Sequence, residues 1–230
     1  MFFFMFIFGI FSVSAYTVEQ FSSYDTTFTF LEKDVVEVDK KIFLRNLHSV
    51  GIVPGQMEFK LSTLEDSSFE IYDLVVTNRY GQEIRSDLRT TSNSNSILID
   101  IFTPILPGFE YHINLNYKIK FDSSGLLFKR VQLPLVEDSR VPILQGSVNV
   151  VLPSGNSVTY LDFKDENTVV NKNSIGFKLN ENTPNSVLIE YSMIPSGVGS
   201  IPGSLVFWLL VNIFLILILA LEIRKELKQR

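Results

Sequence analysis

Two histidines, His48 and His112, are the chain's whole supply of imidazole, and it has no cysteine. A zinc site would therefore take most of its ligands from carboxylates. Neither histidine has a second one at ligand spacing. His48 sits in Asn46-Leu47-His48-Ser49 near a strand end, and His112 falls on the polar face of a long alternating run. Both read as surface residues. The acidic clusters are Glu65-Asp66, Glu137-Asp138 and the run Asp162 to Asn167. The last could crowd several oxygens around a cation, but Ca²⁺ takes about six to eight ligands from a loop with alternate Asp/Asn and a fixed Gly. That pattern is missing, and Asp and Asn also build turns in their own right. No Ser lies in a Gly-x-Ser-x-Gly elbow, and no phosphate-cradling Gly loop occurs. Paired carboxylates for glycoside hydrolysis remain open to sequence, because such partners meet only in space. The expectation is a non-catalytic chain with no cofactor and no metal; an exported hydrolase is the weaker alternative.

The residues with a distinct physical role lie towards the ends. Met1 to Ala15 holds six Phe and no charge, and Val13-Ser14-Ala15 suits signal-peptidase cleavage before Tyr16. A basic leading stretch is missing, so either the start lies upstream or the signal is weak. Ser204 to Leu221 is an uncharged run broken by one amide, Asn212. Its 18 residues reach about 27 Å as a helix, close to the ~30 Å of a hydrocarbon core. Trp208 stands near the start, where an indole suits the headgroup boundary. After the run come Glu222, Arg224, Lys225, Glu226, Lys228 and Arg230, four basic residues against two acidic. Basic flanks stay cytoplasmic, which places residues 16–203 outside a plasma membrane crossed once.

Charge then bears on partners. Removing the tail's four basic and two acidic residues from the chain's 20 and 25 leaves 16 and 23, a net of −7. An acidic exterior excludes a nucleic-acid partner, which needs a basic face. The implied partners are the bilayer and a membrane-protein neighbour. Asn212 is a candidate for cross-helix hydrogen bonding. Leu127 and Phe128, in the apolar cluster from Leu126 to Val136, are candidates for a contact surface unless another part of the chain covers them. Trp208, Arg224 and Lys225 are the membrane-interface candidates.

Between the ends the hydrophobic period is two. Glu110–Phe121 sets Tyr111, Ile113, Leu115, Tyr117, Ile119 and Phe121 on one face and His112, Asn114, Asn116, Lys118 and Lys120 on the other. Such alternation marks an antiparallel strand buried on one side. Shorter runs at 36–45, 57–61, 69–77, 97–102, 147–152, 174–179 and 186–192 repeat it, separated by turn signals such as Pro107-Gly108 and Pro153-Ser154-Gly155. The exterior is expected to be all-β, as one large or two small antiparallel sandwiches, with one C-terminal transmembrane helix. The expected divisions are a signal at 1–15, a sandwich at 16–133 and a smaller β domain at 134–194. A linker at 195–203, the span at 204–221 and a basic tail at 222–230 follow. The smaller unit could equally pack on the first as an extra sheet. The boundary rests on residues 126–145, where alternation fails and Pro134 and Pro142 interrupt.

The run Val35-Val36-Glu37-Val38-Asp39-Lys40-Lys41-Ile42-Phe43-Leu44-Arg45-Asn46, a strand ending at Gly81, and Ile105-Leu106-Pro107-Gly108-Phe109-Glu110 leading into the long strand form a recognisable plan. It resembles the N-terminal β-domains of uncharacterised prokaryotic, often archaeal, membrane-anchored proteins. It is similar in layout, more distantly, to the lumenal part of ribophorin I, a non-catalytic subunit of a membrane enzyme complex. The resemblance implies an accessory or assembly role in a membrane or cell-envelope complex. The rival expectation is a surface adhesin or ligand-binding module.

Overall fold

In a computed structural model of the chain, the described residues are 18–31, 34–62, 69–91, 94–121, 125, 127–137, 141–180, 183–194 and 199–229. The expected signal at 1–15 and cleavage before Tyr16 lie outside them, as do Glu65, Asp66, Asp138 and Leu126. Among the described residues, thirteen strands and one helix follow in order. They are β1 (Glu19–Phe30), β2 (Val35–Asn46), β3 (Gly55–Ser62), β4 (Phe69–Asn78), β5 (Ser86–Thr90), β6 (Ser94–Ile101) and β7 (Glu110–Phe121). Then come β8 (Phe128–Pro134), β9 (Gly146–Val151), β10 (Ser157–Leu161), β11 (Val169–Val170), β12 (Ser174–Leu179), β13 (Ser186–Ser192) and α1 (Gly203–Gln229). The all-β body with one C-terminal apolar helix is as expected.

A seven-stranded sheet in the order β11-β12-β9-β1-β2-β7-β4 forms one layer. Its inner face is the apolar phase of each strand: Tyr24, Phe28 and Phe30 on β1, Val36, Val38, Ile42 and Leu44 on β2, and Ile113, Leu115, Tyr117 and Ile119 on β7. Two three-stranded sheets, β10-β13-β8 and β3-β6-β5, complete the body. The β3 side meets β1 at Phe21, whose ring lies 5.9 Å from that of Phe59. The β13 side meets it at Phe30, 5.3 Å from the Tyr191 ring. All three sheets feed one hydrophobic cluster. Burying each such aliphatic or aromatic side chain contributes about 1.5–3 kcal/mol.

Among the named strands, pairing is antiparallel except between β1 and β9, which run parallel from Tyr24↔Gly146 to Thr29↔Val151. This pairing crosses the expected 133/134 boundary and sets β9 and β12 in the same sheet as β1, β2 and β7. At the outer edge, β4 carries a register shift between Tyr72 and Val75, with Asp73 at φ 55. A bulge of this kind twists an edge strand away from stray pairing.

The broken alternation at 126–145 has a specific cause. β8 pairs with β13 over its whole length, from Ser186↔Pro134 to Ser192↔Phe128. Val131 and Leu133 face the core, while Phe128 is buried on the opposite face, where α1 begins. β8 is short, and only Arg130 to Leu133 alternate polar and apolar residues before Pro134 ends the strand.

Candidate functional site

The first polar assembly stands where the β body meets α1. Glu190 of β13 lies fully buried on the outer face of its sheet, opposite Arg130 of β8. Arg130 Nε donates to its Oε2 at 2.9 Å, and Thr159 Oγ1 of β10 donates to Oε1 at 2.8 Å. Ser204, in the first turn of α1, donates its backbone N–H to Oε1 at 3.1 Å and its hydroxyl to Oε2 at 2.6 Å. Arg130 also donates to Ser204 Oγ at 2.8 Å. A carboxylate from the β body thus caps the helix, satisfying an N–H that has no intrahelical acceptor and complementing the positive end of the helix dipole. Burial alone would raise the Glu190 carboxyl, but the hydrogen bonds from Ser204, Arg130 and Thr159 outweigh it and hold it below its usual value.

The chain leading into α1 is also part of the fold. Gly199 bridges Tyr160 in parallel, its N–H reaching Thr159 O, and Gly203 is buried. Of the expected 195–203 linker, Gly199 therefore lies on β10. One turn along α1, the Phe207 ring sits 5.6 Å from that of Phe128. Ser204 is thus level with Arg130, and Phe207 is level with Phe128, two residues nearer the start of β8. α1 leaves along β8 and past its first residue. That end also holds the β1–β2 turn, where Lys129 Nζ meets Asp34 Oδ1 at 3.1 Å. Among the described residues, the helix has one stretch long and apolar enough to cross a bilayer, Gly203–Lys225, 23 residues with mean hydropathy 2.8.

The second assembly is sealed in the core. Lys40 occupies the inward phase of β2, between Val38 and Ile42, and Thr26 of β1 is its cross-strand partner. Its Nζ donates to Glu137 Oε1 and to Tyr24 OH at 3.0 Å, and it lies over the Tyr24 ring. The side chains of Lys40 and Glu137 are 2% and 1% exposed. Desolvation lowers Lys40 well below its usual value and pushes Glu137 up to about 8. Thr26 Oγ1, Tyr117 OH and Glu137 Oε2 have no partner among the described residues. An acid and a base in contact could exchange a proton, and both side chains here are buried.

The third region lies at the other end of the strands, beyond Asn46 of β2 and before Glu110 of β7. β2 has 12 residues, so that end lies about 40 Å along the strand from the β1–β2 turn, where Lys129 of β8 is held. Asn46 is fully buried and holds two loops together. Its Nδ2 donates to Val50 O and Ile105 O, both at 2.8 Å, and its Oδ1 accepts from His48 N at 2.7 Å. Ile52 and Ile105 exchange N–H···O bonds at 3.0 and 2.8 Å. Pro107-Gly108 turns the chain with Gly108 at φ 74, a conformation open to glycine. On this frame Leu47, Val50, Val53, Phe102, Leu106 and Phe109 stand exposed, Phe102 at 67% and Phe109 at 65%.

The structure groups the sequence-derived candidates at two places. Phe128 and Trp208 meet through Phe207, whose ring lies 5.7 Å from the indole. Leu127 is beside them, half exposed, its carbonyl accepting from Ser192 Oγ at 2.7 Å. Val131, Leu133 and Leu135 of the same apolar cluster are buried. Asn212 is exposed and donates to Trp208 O at 2.8 Å, one turn back. Arg224 and Lys225 are exposed at the far end of α1, about 24 Å from Trp208 at helical rise. His48 Nδ1 accepts from Val50 N, and His112 stacks on Phe43 with centroids 4.0 Å apart. Asp165 binds Thr168, Asn167 and Asn180, so the Asp162–Asn167 oxygens serve the chain's own turns. Among the described residues, no group of three or more acidic or histidine side chains could hold a metal.

Glu190, Arg130 and Ser204 escaped sequence reasoning, because only strand register brings the first two together. Lys40 left a signal: it falls in phase with Val36, Val38, Ile42 and Leu44.

No protein-family model matches the chain, and no curated protein matches it. Among solved structures it is similar to the M1 zinc metallopeptidase of Deinococcus radiodurans, at 12% identity and a TM-score of 0.43, over 76% of this chain and 42% of that one. A mutant of the same enzyme gives 13% identity and a TM-score of 0.42 over the same shares. The chain thus spans less than half the length of these structures. A likeness of this size carries neither the enzyme's metal nor its activity to this chain.

Proposed function

We propose that the chain is a non-catalytic, single-pass membrane protein that acts as an accessory or assembly subunit of a membrane or cell-envelope complex. Its β body lies outside the plasma membrane and its basic tail, with Arg224 and Lys225, lies in the cytoplasm, following the rule that basic flanks stay inside. The observation that supports this reading best is the Glu190 cap. A body joined to its span by Arg130, Thr159, Glu190 and Ser204 meets the bilayer at a set angle. A subunit that must present surfaces to fixed neighbours needs such a joint; a freely reaching module does not. The non-catalytic part rests on the two buried carboxylates, Glu137 and Glu190, whose contacts are to the chain's own side chains.

Cross-linking in intact membranes followed by mass spectrometry tests the reading. Recovery of proteins anchored in the same membrane is the expected result. Recovery of soluble or other-cell partners alone would replace it with the adhesin or ligand-binding reading, which the exposed loops at the far end of the strands favour.

A further inference from the structure

The geometry points to a homodimer: the loops at 47–54 and 102–109 form a surface that docks on the same surface of a second copy of this chain. The inference rests on the reading that α1 spans a membrane with the β body on one side of it.

The first reason is the patch itself. Six large apolar side chains, Leu47, Val50, Val53, Phe102, Leu106 and Phe109, stand exposed on two loops in contact with each other. Monomeric proteins rarely leave such a patch uncovered. From Asn46 to Met57 and from Ile101 to Phe109 there is no Asp, Glu, Lys or Arg, although a fifth of the chain is charged. Interfaces between copies of one chain are more apolar than those between independent partners, and their centres are depleted of charge. The loops are also held in shape before any partner arrives, by Asn46 and by the paired Ile52 and Ile105. Docking therefore orders little that is not already ordered.

The second reason is the charge at the rim. Arg45 and Glu110, both exposed, are cross-strand partners at the edge of the patch. One base beside one acid matches neither an acidic nor a basic partner. It does match its own copy across a two-fold axis, where Arg45 of each chain meets Glu110 of the other.

The third reason is height. α1 leaves along β8 and is capped by Glu190, so the patch sits at the end of the strands away from the span. Lys129 of β8 meets Asp34 just before β2, and Glu137 beyond β8 meets Lys40 midway along β2, so β8 runs alongside β2. The chain's own bilayer is thus out of reach of the loops. A second copy, held by the same joint in the same membrane, carries its patch at the same distance from the surface and meets it in two dimensions.

The absence of native cysteine makes the test clean. Full-length chains carrying Leu106→Cys are reconstituted at low density in phosphatidylcholine vesicles and oxidised, with Val169→Cys, exposed on the β11 edge, as the control. The expected result is a disulfide dimer with Leu106→Cys well above the Val169→Cys background. Adding Phe102→Ser and Phe109→Ser removes two aromatic anchors and lowers dimer formation about tenfold or more. Equal yields from Leu106→Cys and Val169→Cys overturn the inference, and so does a yield that ignores the two Ser substitutions. Quenching of a fluorophore on Leu106→Cys by nitroxide-labelled lipid would instead put the loops in the bilayer, which also overturns it. If carbonate extracts the chain from the vesicles, the membrane reading itself falls. If the chain stays inserted and does not cross-link, only the dimer falls.

Discussion

Two buried carboxylates in this protein live under opposite conditions. Glu190, at the helix junction, accepts four hydrogen bonds from Arg130, Thr159 and Ser204, and its carboxyl is held below the ordinary range. Glu137, in the core, has one contact to Lys40 and one oxygen with no partner among the described residues, and burial pushes it up to about 8. Burial alone therefore does not decide the state of an acid. The number of donors brought to it does. The junction is a satisfied network that fixes an orientation. The core pair is one whose desolvation its single contact only partly offsets.

Three substitutions test this contrast. The largest effect is expected in the core. Lys40→Met leaves Glu137 buried without its base and should destabilise the fold by about 3–5 kcal/mol. The sign of its pH dependence follows from the raised carboxyl. The folded state then keeps a proton that the unfolded state loses above its ordinary 4.5, so stability falls as pH rises from there through about 8. Urea unfolding of the full chain in detergent at pH 5 and pH 8 should show the larger loss at pH 8. Adding Glu137→Leu should return stability to that of the wild type or up to about 1–4 kcal/mol beyond it. An equal loss at both pH values, or a double variant no better than Lys40→Met, would mean the pair contributes more than it costs.

The junction should respond with the opposite pH sign. Glu190→Gln removes the charge from the acceptor and should cost about 1.5–3 kcal/mol at pH 7. Because the folded carboxyl sits below its ordinary 4.5, the wild-type advantage is complete above that pH and fades as pH falls through the lowered value. Thermal unfolding of both forms between pH 3 and 7 should converge at the acid end. Parallel curves would show that shape, and not charge, holds the cap.

The smallest effect is expected in the span. Asn212 donates to Trp208 O, so part of its amide is satisfied within the helix, leaving its Oδ1 and second N–H for a neighbour. Asn212→Leu should weaken recovery of a membrane partner by about 0.6–2 kcal/mol, roughly three- to thirtyfold, with insertion unchanged. Co-purification in mild detergent, compared with Phe214→Leu, measures it. Equal recovery from the two would make the backbone bond to Trp208 the whole role of the amide.

Most of the strands were legible because alternation is a local property. Glu110–Phe121 reads the same in sequence and structure, and so do the runs that became β2, β3, β4, β6, β9, β12 and β13. β8 was hidden because it is only seven residues long and alternates only from Arg130 to Leu133. The parallel pairing of β1 with β9 joins strands more than a hundred residues apart, a distance over which no local pattern carries information. The Phe128–Trp208 neighbourhood was half legible. Both residues stood out as apolar candidates, but their meeting through Phe207 required the helix to fold back along β8.

By itself the sequence determined the material of this protein: a β body with period-two strands and one helix apolar enough to cross a bilayer. Those properties depend on the hydropathy of neighbouring residues and need no knowledge of who lies across the sheet. Only the tertiary structure decided that Arg130 faces Glu190, that Ser204 closes the network, that Lys40 points inward onto Glu137, and that two uncharged loops share one end of the strands. Each of these joins residues that register and layer packing bring together from distant parts of the chain, and a carboxylate's chemistry is set by the donors around it.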